Sequence, residues 1–89
     1  MRIHPDFTIQ QVGETSFVAV PVGKTSEHFH AMISLNATGA FLWKRMAEKD
    51  CTEEDLVAAL LETYEIDAET AKRDVARLVE ILREGKAFA

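Results

Sequence analysis

Two histidines one residue apart, His28 and His30, are the first residues whose type and spacing could do chemistry. On a strand, both imidazoles would lie on one face, where they could bind a metal ion. Two ligands are too few for a zinc site, and no cysteine or carboxylate stands at a matching spacing. We therefore expect no metal here, and predict that these histidines face solvent or a ligand other than a metal.

Three other chemical motifs are incomplete. Gly23-Lys24-Thr25 matches the end of a phosphate-binding loop, but the earlier glycine is replaced by Val18, and no helix pattern follows. Cys51 has no evident activating histidine, and the many Asp and Glu residues are scattered rather than paired. The sequence has no nucleophile beside a base, no set of metal-ligating residues and no phosphate-binding loop. We therefore predict that the chain is not an enzyme and needs no cofactor.

The bulk composition limits the fold and the partners. With 89 residues, 47% of them hydrophobic, the chain is expected to form one domain over 1–89. No apolar run approaches the roughly 18 residues that span a bilayer, no signal-peptide pattern is present, and the single cysteine cannot form an internal disulfide. These features predict a cytoplasmic protein with no membrane contact. A net charge of −5 disfavours general nucleic-acid binding, which needs a basic surface.

Alternating apolar and polar residues in the first part of the chain predict three strands, at about 7–12, 16–22 and 28–35. Short connections between them favour an antiparallel meander. In the third strand, Ile33 and Leu35 are expected on one face, with Met32 and Ser34 on the other. Pro21 would forfeit a hydrogen bond inside a middle strand, so we place it near the strand end.

After Leu35 the apolar period becomes 3.6, which predicts helices at about 37–49, 53–65 and 68–84. The expected buried stripe of the second helix is Leu56, Leu60, Leu61 and Tyr64, and that of the third is Ala71, Val75, Leu78, Val79 and Leu82. In the first helix, Phe41, Leu42 and Trp43 cannot all face the core, so Phe41 is expected to line a groove.

Residues that favour helix ends stand at the predicted boundaries. The expected N-caps are Asn36, Thr52 and Asp67, and Asp55 would complete a capping box with Thr52. Gly85 is expected to end the third helix in a left-handed conformation. Strands and helices are segregated along the chain, so the predicted class is α+β, a three-stranded antiparallel meander followed by three helices. The last two helices have the spacing of a helix-turn-helix.

The order of these motifs resembles the PqqD-like family. The strand-to-helix segment I-S-L-N-A-T-G-A-F-L-W carries the likeness, followed by T-E-E-D-L-V-A-A-L, Y-E-I-D, A-K-R-D-V-A-R-L-V-E-I-L and a closing Gly85. The resemblance extends over roughly Phe7 to Phe88, and its most specific parts are Leu35-Asn36-x-Thr38-Gly39 and the spacing from Tyr64 to Asp74-Val75. It implies a winged helix-turn-helix fold. Asn36 as a helix cap and Gly39 as a residue without a side chain are expected to have structural roles at the joint between strand and helix.

The resemblance also implies a peptide-binding function. PqqD-like domains bind the leader of a ribosomally made precursor peptide, which adds to the third strand and packs against the third helix. They deliver it to a modifying enzyme, in the name-giving pathway to pyrroloquinoline quinone (PQQ) a radical SAM enzyme. An edge strand with free backbone groups agrees with this role. The residues expected to contact the peptide are His28, Phe29, His30, Ala31, Met32 and Ile33 on the strand and Lys72, Arg73, Arg77 and Ile81 on the helix.

Alternatives to this reading stay open. A winged-helix DNA-binding protein would use the third helix for recognition, with Arg73 and Arg77 at bases or phosphates, although the acidic composition opposes it. The same two arginines could instead form only a solvated face, or contact an acidic leader. An open edge strand could pair with its own copy, so both a monomer and an edge-paired homodimer are compatible with the sequence.

Overall fold

The computed structural model, which describes residues 1–22 and 32–89, has three strands followed by three helices in these ranges. The strands are β1 (Phe7–Gln11), β2 (Ser16–Pro21) and β3 (Ile33–Asn36), and the helices are α1 (Ala37–Glu48), α2 (Glu53–Thr63) and α3 (Ala68–Glu84). The predicted α+β class and element order are confirmed. Pro21 is the last residue of β2, as expected from its missing N–H.

The strands form one antiparallel sheet in the order β1-β2-β3. Ala19 of β2 lies opposite Ile33 of β3, and both are buried, as is Leu35. Met32 and Ser34 are exposed, so the predicted alternation of β3 is confirmed over its described residues. The inner face of the sheet therefore packs on the helices, and its third strand leads directly into α1.

Side chains cap the helix N-termini as the sequence indicates. The Oδ1 of Asn36 accepts a hydrogen bond from the N–H of Gly39 at 2.8 Å, and Asp67 caps α3 in the same way. Thr52 and Asp55 exchange two hydrogen bonds, each side chain accepting from the other residue's N–H, which is the predicted capping box. These bonds fix where each helix begins.

The C-terminal end of α3 differs from the prediction. Gly85 has a right-handed conformation with φ −79°, and the left-handed one falls on Lys86, with φ 57°. A Cβ atom on Gly85 would lie 2.6 Å from the Cδ1 atom of Ile33. The missing side chain therefore leaves room for the close approach of Ile33 in β3 to the end of α3, and does not serve a left-handed turn.

The core fills the space between the sheet and the helices. Its largest fully buried side chains are Leu42, Met46, Leu56, Leu60, Leu82 and Val75. All five predicted positions of the α3 stripe are buried. The prediction for Leu61 is wrong, because this side chain is 41% exposed. Five helical steps turn Leu61 about 140° away from Leu56, which places it on the outer side of α2. No described helix combines the length and apolar character needed to cross a bilayer.

Candidate functional site

The strand β3 forms an edge of the sheet, because β2 pairs with one side of it and no described strand pairs with the other. The hydrogen bonds of the neighbouring pair show which backbone groups point outward. The N–H of Val12 donates to the carbonyl of Ser16 at 2.9 Å, and the N–H of Val22 to the carbonyl of Asp6 at 2.7 Å. Since the direction alternates along an antiparallel strand, the even-numbered residues of β2 bond to β1 and the odd-numbered residues to β3.

Because of this alternation, Ser34 is the residue of β3 whose backbone groups are free at the open edge. The odd-numbered residues of β2 pair with Ile33 and Leu35, whose backbone groups therefore point toward β2. The N–H and C=O groups of Ser34, which lies between them, point away from the sheet. Met32 precedes β3 and is 67% exposed. An extended ligand at this edge would meet a donor and an acceptor on Ser34.

A groove of about 160 Å³, here called the β3/α3 groove, lies between this edge and the last helix. From β3 and α1 it is lined by Ser34, Leu35, Asn36, Thr38, Gly39 and Leu42, and from α3 by Asp74, Arg77, Leu78 and Ile81. Its buried leucines form an apolar floor, and Ile81 is 42% exposed. Arg77 forms no ion pair with any described residue. The groove thus offers apolar contacts, a free edge, one available guanidinium and, one helical turn before it, the carboxylate of Asp74.

The joint between β3 and α1 forms one end of this groove. Gly39 is buried, and a Cβ atom on it would lie 3.2 Å from the Oδ1 of Asn36 and 3.4 Å from the Cδ2 of Leu35. The absent side chain therefore lets the capping bond form while the strand turns directly into the helix. The segment that approaches Gly39 is its own preceding strand, which supports the structural roles expected for Asn36 and Gly39.

The structure brings together only part of the predicted site. Arg77 and Ile81 line the β3/α3 groove opposite Ser34. Lys72 lines a different groove, between α2 and α3, and Arg73 is exposed without lining either. Contacts of Lys72 and Arg73 with a ligand stay predictions.

The strand half of the predicted site is described only from Met32 onward. His28, Phe29, His30 and Ala31 lie outside the described residues, so their roles stay predictions. Met32 is exposed beside the open edge, whereas Ile33 is buried, with its side chain against the position of Gly85. Among the described residues, no cluster of His, Cys, Asp or Glu is arranged to hold a metal ion.

Several groove residues were missed from the sequence. On α3 these are Asp74 and Leu78, which lie with the predicted Arg77 and Ile81 at one helical spacing, i, i+3, i+4 and i+7, beside the core. Of the three successive apolar residues in α1, Leu42 lines the β3/α3 groove. Phe41, the residue expected in a groove, instead packs edge-to-face against Tyr64, with ring centroids 5.6 Å apart. The guanidinium carbon of Arg45 lies 5.3 Å from the Phe41 ring centroid.

Known proteins are similar to this chain over most of its length. The family model for coenzyme PQQ synthesis protein D (PqqD) matches residues 17–86, from β2 past the end of α3. Among solved structures, the chain is similar to TbiB1 in complex with the TbiA(beta) leader peptide, with a TM-score of 0.72 and 21% identity. This likeness covers 98% of the present chain and 93% of the other, and shows a shared fold. A comparison with curated proteins gives no match. Because the family model spans most of its length, this chain belongs to the PqqD family.

Proposed function

We propose that this chain is a peptide recognition element that binds the leader of a ribosomally made precursor peptide in the β3/α3 groove. The observation that carries the proposal is the direction of Ser34, whose backbone donor and acceptor face the groove that Arg77 and Ile81 line from α3. An extended peptide can pair with such an edge through its main chain, whatever its sequence. Backbone pairing supplies affinity, and the α3 side chains supply selection.

The groove selects the peptide through alternate side chains. In an added strand, every second side chain points toward α3, because successive residues face opposite sides. Those side chains would meet the apolar floor and Ile81, where leucine-like or aromatic groups bury surface. A carboxylate nearby would pair with Arg77. The preferred leader therefore combines apolar residues at alternate positions with an acidic residue.

The family membership supports this proposal, as does the structure of TbiB1, which is similar in fold and was determined with a leader peptide. The chain holds the peptide and performs no chemistry itself. A separate modifying enzyme, such as a radical SAM protein of a PQQ or other peptide pathway, then acts on the core of the bound precursor. A monomer leaves the β3 edge open for this binding, whereas an edge-paired homodimer would cover it.

The DNA-binding alternative gains no support from the exposed side of α3. Its exposed positions mix acidic with basic residues, namely Glu69, Glu80 and Glu84 with Lys72, Arg73, Arg77 and Arg83. A phosphate backbone requires a continuous basic surface, and this pattern would place carboxylates against it. The mixed charge fits contact with a peptide better than contact with a duplex.

A proline at the open edge tests the mode of binding. Ser34→Pro removes the N–H that faces the groove, and proline is tolerated at a sheet edge. The probe is a leader peptide from a short reading frame next to the gene. We expect its affinity to fall by about 10-fold or more, because one hydrogen bond is lost and the ring blocks the approach. Titration calorimetry measures the affinity, and circular dichroism checks folding.

The matched control is Ser34→Ala, which keeps the N–H and should bind as the wild type does. A folded Ser34→Pro variant with unchanged affinity would contradict strand addition. If the wild type binds no leader peptide even at high concentration, the proposal as a whole fails.

A further inference from the structure

A second groove, here called the α2/α3 groove, lies between α2 and α3 and has no role in the peptide binding proposed above. Its volume is about 490 Å³. Its apolar lining consists of Val57, Ala58 and Leu61 from α2 and Ala76 from α3. Leu61 is 41% exposed, although the neighbouring Leu60 is fully buried. Exposed apolar surface in such a concave site is typical of an interface with another molecule.

The two grooves are independent of each other. They share no lining residue, and on α3 they use opposite flanks, with Ala76 on one side and Arg77 and Ile81 on the other. A helix separates its flanks by its own width of about 10 Å. A molecule bound to the α2/α3 groove would therefore leave the peptide site open, and both could be occupied together.

The charges around the α2/α3 groove indicate the sign of its partner. Glu53 and Glu54 stand on the α2 side, and Lys72 stands alone on the α3 side. The capping box of α2 uses the carboxylate of Asp55, while those of Glu53 and Glu54 form no hydrogen bond or ion pair with a described residue. Two available carboxylates against one ammonium give the rim a net negative charge, which complements a basic partner.

We propose that the α2/α3 groove binds an amphipathic helix of the modifying enzyme, one that presents an apolar side chain flanked by lysine or arginine. The apolar side chain would pack between Leu61 and Ala76, and the basic residues would pair with Glu53 and Glu54. This inference rests on the proposed function, since it places the enzyme beside the bound leader. A second copy of this chain fits poorly, because two acidic proteins of net charge −5 would repel at this surface.

A pair of matched substitutions tests the inference and separates it from the proposed function. Leu61 and Ile81 are equally exposed, at 41% and 42%, and each lines a different groove. The enzyme probe is a purified radical SAM protein or other peptide-modifying enzyme from a gene next to this one. Leu61→Lys should weaken its binding by at least about 10-fold and leave leader affinity unchanged. Ile81→Lys should weaken leader binding and leave the affinity for the enzyme unchanged. Titration calorimetry measures both affinities.

A second variant tests the charges without altering the apolar contact. Glu53→Gln combined with Glu54→Gln should weaken enzyme binding and reduce its dependence on salt concentration. Wild-type affinity for the enzyme in both this variant and Leu61→Lys would overturn the inference, as would failure of the wild type to bind the enzyme at all. A homodimer in sedimentation that Leu61→Lys dissociates would also overturn it, because the occupant would be a second copy.

If the leader fails to bind but Leu61→Lys still weakens the enzyme complex, the proposed function fails and the second surface stands. If the leader binds and the enzyme has wild-type affinity for both variants of the α2/α3 groove, only the proposal for that groove fails. The two proposals are thus decided by separate measurements on the same set of proteins.

Discussion

At the scale of single residues, α3 shows that equal side chains four positions apart have different surroundings. Arg73 and Arg77 are both exposed, but only Arg77 lines the β3/α3 groove. Arg73 lies nearer the start of the helix, where hydrogen bonds from Thr70 lower the pKa of Asp67 and the charge of Arg73 lowers it further. The residue type predicts a cation at both positions, whereas the groove that each cation reaches depends on the rotation of α3 against the rest of the fold.

Reversing each charge separately tests this difference. Arg77→Glu should weaken the binding of an acidic leader by about 10- to 100-fold, which corresponds to the free energy of a hydrogen bond to a charged group. Arg73→Glu is the matched control, and should change the affinity less than threefold at moderate salt. Fluorescence anisotropy with a labelled leader gives both constants. Equal losses in the two variants would support the original expectation that both arginines contact the peptide.

At the scale of elements, local chemistry sets the start of each helix. The caps Asn36, Thr52 and Asp67 lie where the sequence predicts them, because an N-cap needs only residues two or three positions away. Two helix ends are less well predicted. The first helix ends at Glu48 rather than 49, and the second at Thr63 rather than 65, since helix ends fray and carry no equally specific signal here.

The cap of α3 gives a prediction about pH. Hydrogen bonds from the hydroxyl and the N–H of Thr70 hold the pKa of Asp67 below its ordinary value of 3.8. A carboxyl whose folded pKa is depressed stabilises the fold above its unfolded pKa, and this contribution is lost as the pH falls through the folded pKa. The wild type should therefore lose more stability than Asp67→Asn when the pH falls from 6 to about 3.

Asparagine is a suitable comparison because it keeps the capping oxygen without a titrating proton. Urea unfolding at a series of pH values, followed by circular dichroism, measures the difference. Glu84→Gln, an exposed change at the other end of α3 that caps no N-terminus, serves as the control and should follow the wild type. If the free energy of unfolding of Asp67→Asn has the same pH dependence as that of the wild type, the ionised cap contributes nothing to folding.

At the scale of the whole molecule, the contact between Ile33 and Gly85 joins the two sides of the peptide site. It holds β3 against the end of α3, about fifty positions later in the chain. Ile33 is buried, so its side chain has little room to move aside. The distance between the sheet edge and the helix that form the groove is therefore set partly by a position without a side chain.

Adding one methyl group at this contact should disturb both folding and binding. We expect Gly85→Ala to lower the free energy of unfolding by about 1–3 kcal/mol, because its Cβ would overlap the Cδ1 of Ile33. Leader affinity should fall as well, since β3 must shift relative to α3. Denaturant unfolding and titration calorimetry measure the two effects.

The compensating change is Ile33→Val, which removes the Cδ1 atom. Alone it should cost about 0.5–1.5 kcal/mol, and combined with Gly85→Ala it should cost less than the sum of the two. Additive effects in this double-mutant cycle would show that the two side chains do not compete for the same space.

The sequence alone determined the features that depend on neighbouring residues. These are the order of strands and helices, the caps, the buried stripe of α3 and the outward direction of Met32 and Ser34, all of which follow from local hydrogen bonds or from the period of an element. The likeness to the PqqD family also belongs here, because the motifs that carry it are short and in order.

Only the tertiary structure decided which of these features meet. It placed Ser34 opposite Arg77 and Ile81, moved Lys72 to a separate groove and gave Gly85 its role against Ile33. The exposure of Leu61 likewise depends on which side of α2 the neighbouring helix covers. The physical reason is common to all four. Each depends on the rotation and separation of elements distant in sequence, which are set by close packing in the core and not by any local pattern.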